Sequence, residues 1–406
     1  MKYAFLSLLC VIIISVASSA QQVSGRVLNA EDKSPVQGAN VFINNGSRGT
    51  ITNKDGYFEL KDVNLTEFEL VISFISYETI VVHISPLNIN SKFRIEMTAK
   101  KSELEEIVIT APEKNGWEKH GKFFTELFIG TSDNARQCRI LNPKVIKFYY
   151  NKTKNILTVS ATDQIEIENN ALGYTINYQL ENMAYDYKKG MLTYSGFTNF
   201  VEKNSNRERK KTLYATKRKK AYQGSIMHFM RALYSNSVSQ EGFSLRELRR
   251  LYKEEPGDKV LYNMIMAGNF SNFDTSQYFI QLMKPSVFTR DPIVYVYAKN
   301  TLSIDSIRYK ENGEVFLSFP YNLQVTFNNE VEEFQYALQR QPRTHDMPER
   351  RKVFVKHQQS IIGLAAKKAV VVTGNGLYFE PLDLFTEEYW AWEKLAELLP
   401  IDYVPE

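Results

Sequence analysis

Val23-Ser24-Gly25-Arg26-Val27, Pro35-Val36-Gln37-Gly38-Ala39-Asn40-Val41 and Gly49-Thr50-Ile51-Thr52-Asn53-Lys54-Asp55-Gly56-Tyr57-Phe58-Glu59-Leu60 make up the stretch from which the fold is read. Short apolar alternations stand between Gly, Pro and Asn/Asp turns, the pattern of a small antiparallel β domain. Downstream, Phe68, Leu70, Ile72 and Phe74 alternate with Glu67, Glu69, Val71 and Ser73. Ile80, Val82 and Ile84 repeat the alternation, and Phe93, Ile95 and Met97 close it. Residues two apart share a strand face, so each run has one side to bury and the set packs as a two-sheet sandwich. Gly49, Asn53 and Gly56 are expected at positive-φ or tight-turn positions. Asn53 and Asp55 read as turn residues, because an oxygen-ligated cation loop needs several more carboxylates in order.

The spaced residues Gly25-x-Val27, Pro35-x-x-Gly38-Ala39-x-Val41 and Gly49-Thr50-x-Thr52-x-x-Asp55-Gly56-x-Phe58-x-Leu60 resemble the carboxypeptidase regulatory-like domain. The resemblance implies a seven-stranded, prealbumin-type (Ig-like) β-sandwich without catalytic activity of its own. In that family the module follows some metallocarboxypeptidase domains and forms the N-terminal extension of many TonB-dependent outer-membrane transporters. It therefore implies an envelope setting, periplasmic or outer-membrane-associated, with a docking or spacing role.

A chain of 406 residues, 43% hydrophobic and 24% charged, is globular and long enough for more than one core. Lys2, the apolar run Tyr3 to Val16 and Ser18-Ser19-Ala20 have the three parts of a secretory leader, so residues 1–20 are expected to be a signal peptide. The run is short for a membrane span, and no transmembrane segment is expected in the mature chain. Cys10 belongs to the leader and leaves Cys138 alone, so no internal disulfide forms. The formal net charge is +4, and cleavage removes only Lys2 of the charged residues. So small a balance excludes a global field for nucleic acid, which is not expected as a partner.

With the sandwich assigned to residues 21–98, residues 99–116 read as a linker holding one extended piece, Ile107-Val108-Ile109, ahead of Pro112. The linker resembles the acidic-then-aliphatic segment that joins the same module to the plug of TonB-dependent transporters, but no plug or barrel pattern follows. Residues 117–406 read as an α+β domain with a mostly antiparallel sheet. Val145 to Tyr150 and Ile156 to Ala161 predict a hairpin, and the apolar phase shift at Glu181-Asn182 predicts a bulge. Ser225 precedes a helical stripe of Ile226, Phe229, Met230 and Leu233, whereas Ser244 to Glu247 fits both a helix start and a strand. A closing helix is expected from Thr386 to Pro400, carrying Tyr389, Trp392, Leu395, Ala396 and Leu399 on one side.

No catalytic, metal or cofactor motif is present in the sequence. None of the five histidines has an acidic residue three positions on, so the zinc-carboxypeptidase pattern is missing, and Gly-x-Ser-x-Gly does not occur. Glu166 and Glu168 share a strand face and read as surface decoration. Two partner-binding candidates are left. Ile107, Val108 and Ile109 are poised to add to a sheet edge. Arg207, Lys210, Lys211, Lys217 and Arg218 lie in a basic stretch, Lys203 to Lys220, that reads as a solvated loop or as an edge for phosphate-bearing glycolipid. The function expected is a non-enzymatic exported envelope protein, with a docking sandwich and a second domain binding a partner or glycan. The alternative is an envelope hydrolase, carboxypeptidase-like or carbohydrate-active, for which a pocket of converging carboxylates or histidines in the second domain would speak.

Overall fold

The computed structural model describes residues 21–100, 111–269, 275–283, 292–340, 353–365, 367–379 and 381–405. The expected signal peptide and the triplet Ile107, Val108 and Ile109 lie outside the described residues. The chain divides into two compact units, Met1–Asn44 with Arg48–Glu103, and Asn45–Ser47 with Leu104–Glu406.

The first unit holds β1 (Gln21–Asn29), β2 (Asn40–Ile43), β3 (Gly49–Ile51), β4 (Tyr57–Val63), β5 (Phe68–Ser73), β6 (Ile80–Ile84) and β7 (Lys92–Met97). They form two sheets, ordered β4-β1-β7 and β3-β2-β5-β6, with β1 antiparallel to β4 and parallel to β7. The strands bury one face or more, with Val23, Val27, Phe58, Leu60, Phe68, Leu70, Ile72, Ile95 and Met97 among the core residues. This is the sandwich expected from the alternation. Asn53 Oδ1 accepts from the amides of Asp55 at 3.0 Å and Tyr57 at 2.9 Å, which makes it a turn former. Gly56 follows at φ +77°, where a Cβ would stand 2.4 Å from the Val27 carbonyl oxygen. Gly49 is instead an ordinary residue of β3, and the other left-handed glycine is Gly38 at φ +81°.

The second unit runs α1 (Gly116–Phe128), β8 (Cys138–Ile140), β9 (Ile146–Asn151), β10 (Ile156–Ala161), β11 (Ile165–Asn169), β12 (Tyr174–Asp186), β13 (Met191–Glu202), α2 (Glu208–Tyr222), α3 (Ile226–Tyr234), β14 (Phe243–Leu251), α4 (Lys259–Met266), β15 (Tyr278–Met283) and β16 (Ile293–Ala298). It continues with β17 (Arg308–Glu311), β18 (Glu314–Leu317), β19 (Asn322–Val331), α5 (Phe334–Arg340), β20 (His357–Leu364), β21 (Val370–Val372), β22 (Tyr378–Phe379), β23 (Leu384–Glu388) and α6 (Tyr389–Trp392). One sheet is ordered β8-β11-β12-β10-β9 with β13 also on β12, a second β15-β16-β14-β19-β20-β23, and a third β17-β18-β21-β22, with antiparallel pairing throughout. The expected hairpin is β9–β10, with Asn155 at φ 58°, and the predicted bulge falls between Leu180 and Asn182.

Two large cores and two smaller clusters organise the described residues of this unit. Phe124 and Phe128 of α1 pack with Phe148, Ile176 and Phe200 of the first sheet. Phe229, Met230 and Leu233 of α3 pack with Leu245, Val325 and Ile362 of the second. Ser225 caps α3 by accepting from the His228 amide at 3.2 Å, and Ser244 to Glu247 resolves as strand within β14.

Two expectations are corrected. From Glu208 on the basic stretch is the helix α2 and not a loop; only Tyr214 and Ala221 of that helix are buried, so it gives almost no apolar periodicity. The closing helix is broken. Thr386 lies within the strand β23, Glu388 takes φ 60° and ψ −125°, α6 lasts four residues, and Lys394 is extended. Those two kinks let Trp390 enter the second core while Leu395, Ala396 and Leu399 enter the first. A straight helix cannot reach both.

Candidate functional site

The structure separates the basic candidates into two groups. Arg207, Lys210 and Lys211 are exposed around the first turn of α2, with Lys211 paired to Glu208 at 2.7 Å and Lys210 Nζ 5.4 Å above the Tyr214 ring. Lys217 and Arg218 turn inward. The Arg218 guanidinium donates to the carbonyls of Leu172 at 2.7 Å and Gly173 at 3.2 Å, bonds Glu202, and lies 4.0 Å over the Tyr174 ring. It fastens the helix to the sheet and has no free edge for a ligand. Lys217 lines an acidic crevice.

That crevice brings together residues far apart in the chain. Glu330 comes from β19, Glu333 from the turn before α5, Glu393 and Glu397 from the segment after α6, and Lys217 and Lys220 from α2. Glu397 accepts from Ser132 Oγ and from Asn134 Nδ2, the latter at 2.7 Å. Gln358 Nε2 donates to Glu330 at 3.3 Å, and Lys220 pairs with Glu333 at 3.3 Å. Burial raises the Glu393 carboxyl well above its usual range, and neighbouring Glu397, Glu333 and Glu330 push it the same way. Burial also raises Glu397, against the two hydrogen bonds it accepts. Shifted carboxyls in a recess are what a catalytic site would show. The free space, however, is only about 10 Å³, the room of one water. Neither a sugar ring nor a peptide fits. No motif spacing links these glutamates, so sequence reasoning missed them.

A larger cleft, about 370 Å³, opens at the start of α1 between Pro112, Trp117, Pro143, Lys144, Lys147 and Phe148. Its shape follows from a glycine: a Cβ on Gly121 would stand 2.7 Å from the Trp117 ring, so the indole lies flat along the helix. Trp117 also sits 6.3 Å from both Phe124 and Phe148 by ring centroid. Glu113 at the rim is held below the usual carboxylate range by Lys119, bonded at 2.7 Å. Clefts of this size and lining suit small ligands, with the aromatic face supplying contact area and the charged rim orientation.

The remaining sequence candidates are quiet. Burial pushes the Cys138 thiol up to about 12, and its sulfur faces the Asn134 carbonyl at 3.5 Å. Glu168 is taken up by Lys203 at 2.6 Å and Arg139 at 3.3 Å. Among the described residues, no group of three or more His, Cys, Asp or Glu stands where it would hold a metal, and no helix is long and apolar enough to cross a membrane.

Comparison with known proteins agrees with the sandwich and is silent on the larger unit. The family model described as the CarboxypepD_reg-like domain matches residues 23–109, so the N-terminal sandwich is a domain of that kind. No curated protein matches. One solved structure, a 9R-lipoxygenase from Cyanothece PCC8801, aligns over 56% of this chain and 50% of that one at 8% identity and a TM-score of 0.17. The chain thus spans half the length of that enzyme, and a score so low carries no argument about fold or activity.

Proposed function

We propose that the chain is a non-enzymatic, exported cell-envelope protein, in which the β-sandwich docks or spaces and the larger unit binds a glycan-type ligand. The observation that carries this reading is the contrast between two recesses. The open cleft has an aromatic floor and a rim of Glu113, Glu118, Lys144 and Lys147 with Glu113 engaged by Lys119, whereas the converging carboxylates of the crevice enclose the space of a single water. Trp117 supplies a flat apolar face, and with Glu113 paired to Lys119 the ammonium groups of Lys144 and Lys147 favour an acidic or phosphorylated sugar. A periplasmic or outer-membrane-associated place follows from the leader-like first residues and the module's usual setting.

Calorimetric titration of the full chain with acidic and neutral oligosaccharides tests the proposal. Saturable binding of an acidic oligosaccharide, weakened at least tenfold in a K144E/K147E variant with an unchanged melting curve, is the expected result. Absence of binding removes the glycan reading. Release of reducing ends or amino acids from glycans or peptides, lost in Glu397→Gln, would establish the hydrolase reading instead.

A further inference from the structure

Helix α2 sets seven Lys and Arg residues against one acid, Glu208, over its 15 residues. Its inner side is fixed to the sheet, with Tyr214 and Ala221 buried and Arg218 bonded to the Leu172 and Gly173 carbonyls. The outer side faces solvent, and the acids around the helix are already engaged. Glu208 pairs with Lys211 at 2.7 Å, Glu202 with Arg218, and Glu333 with Lys220 at 3.3 Å. Arg207 and Arg209 are exposed and have no carboxylate partner among the described residues. A chain with a formal net charge of only +4 thus concentrates uncompensated positive charge on one helix.

Apolar side chains stand among and beside these cations. Leu213, more than half exposed, lies four positions after Arg209 and so shares its face of the helix. At the other end of α2, Lys220 reaches Glu333, and the next residue, Phe334, is more than half exposed, as is Leu338 four positions further along α5. Tyr336 and Ala337 are the buried residues of α5, so Phe334 and Leu338 mark its outer face.

We propose that the outer side of α2, with Phe334 and Leu338 beside its C-terminal end, is an interaction surface for the phosphate-bearing headgroups of an anionic phospholipid bilayer. A cluster of Lys and Arg on a helix is drawn to the negative potential of such a surface. Leucine and phenylalanine next to the charges then reach the boundary between headgroups and acyl chains. A soluble polyanion would use the charges and leave those apolar groups in water, which is why lipid is the occupant favoured. No residue of this surface belongs to the Trp117 cleft, so it stands apart from the glycan reading.

The experiment is co-sedimentation of the chain lacking residues 1–20 with vesicles of phosphatidylcholine alone or with about a third phosphatidylglycerol. Omitting those residues keeps an apolar leader out of the bilayer and leaves both described units whole. The expected result is binding to the phosphatidylglycerol vesicles only, weakened at least tenfold between about 0.1 and about 0.5 M salt. R207E/R209E should weaken it at least tenfold with an unchanged melting curve, since acids are favoured in the first turn of a helix. F334S/L338S should weaken it severalfold. K144E/K147E should bind vesicles as the parent does, which tells a failure here from a failure of the glycan reading. Equal binding to both kinds of vesicle, unchanged binding in either of the first two variants, or capture of inorganic polyphosphate without vesicle binding would overturn the proposal.

Discussion

Asn134 and Glu397 lie 263 positions apart in the chain and share a hydrogen bond of 2.7 Å inside the larger unit. With the Ser132 hydroxyl on the other carboxylate oxygen, this bond ties the turn after α1 to the end of the chain. It also places a carboxyl with a raised pKa next to the core that holds Phe124 and Leu395.

Stability is expected to fall as pH rises above about 4.5. Glu393 and Glu397 have folded-state pKa values above the ordinary 4.5, so the folded chain binds protons more tightly than the unfolded one. Their contribution is complete below 4.5 and is lost as pH climbs through the raised values. Glu168, depressed by Lys203, acts with the opposite sign and loses its smaller contribution as pH falls below 4.5. Urea unfolding between pH 4 and 8 measures this, and Glu393→Gln should flatten the alkaline slope.

Arg218→Ala should destabilise the larger unit by about 3 kcal/mol, since it removes charged hydrogen bonds to two carbonyls and a stack on Tyr174. Lys211→Ala, on the exposed side, should change stability by no more than about 0.5 kcal/mol. Chemical denaturation of both variants checks the difference. A search for ligands of α2 therefore belongs with Arg207 and Lys211 and not with Arg218.

Gly56→Ala should destabilise the sandwich by about 2 kcal/mol or more. The new Cβ meets the Val27 carbonyl oxygen at 2.4 Å and the residue keeps φ +77°. Gly49→Ala, on β3, should be far milder, because no left-handed φ is required there. Melting curves of the two variants separate them.

Cys138 should be inert in the folded protein. With the thiol pushed up to about 12, a disulfide reagent at pH 8 finds almost no thiolate. Labelling should be slow in buffer and complete within minutes in denaturant, as read by thiol titration of protein lacking residues 1–20.

The sandwich was legible because strands such as β1 and β4 bury alternate residues over much of their length and its turns have their own residue chemistry, as at Asn53 and Gly56. Helix α3 was legible for the same reason at helical spacing. Helix α2 was not, since charge on every side of it hides the period, and Tyr214 and Ala221 are its only buried residues. The closing segment misled through its spacing: Tyr389, Trp392, Leu395 and Leu399 suit one helix face, yet after backbone turns at Glu388 and Lys394 Leu395 and Leu399 enter the first core while Tyr389 and Trp392 pack with Tyr336. The crevice was invisible because Asn134, Glu330 and Glu397 become neighbours only when three distant segments close.

Leu395, Ala396 and Leu399 complete the core begun by Phe124 and Phe128. A chain emerging N-terminus first must therefore hold that apolar surface open until almost all of it has been delivered. The larger unit cannot mature piecemeal behind the sandwich. Its first core stays incomplete until residues 395 to 399 are present.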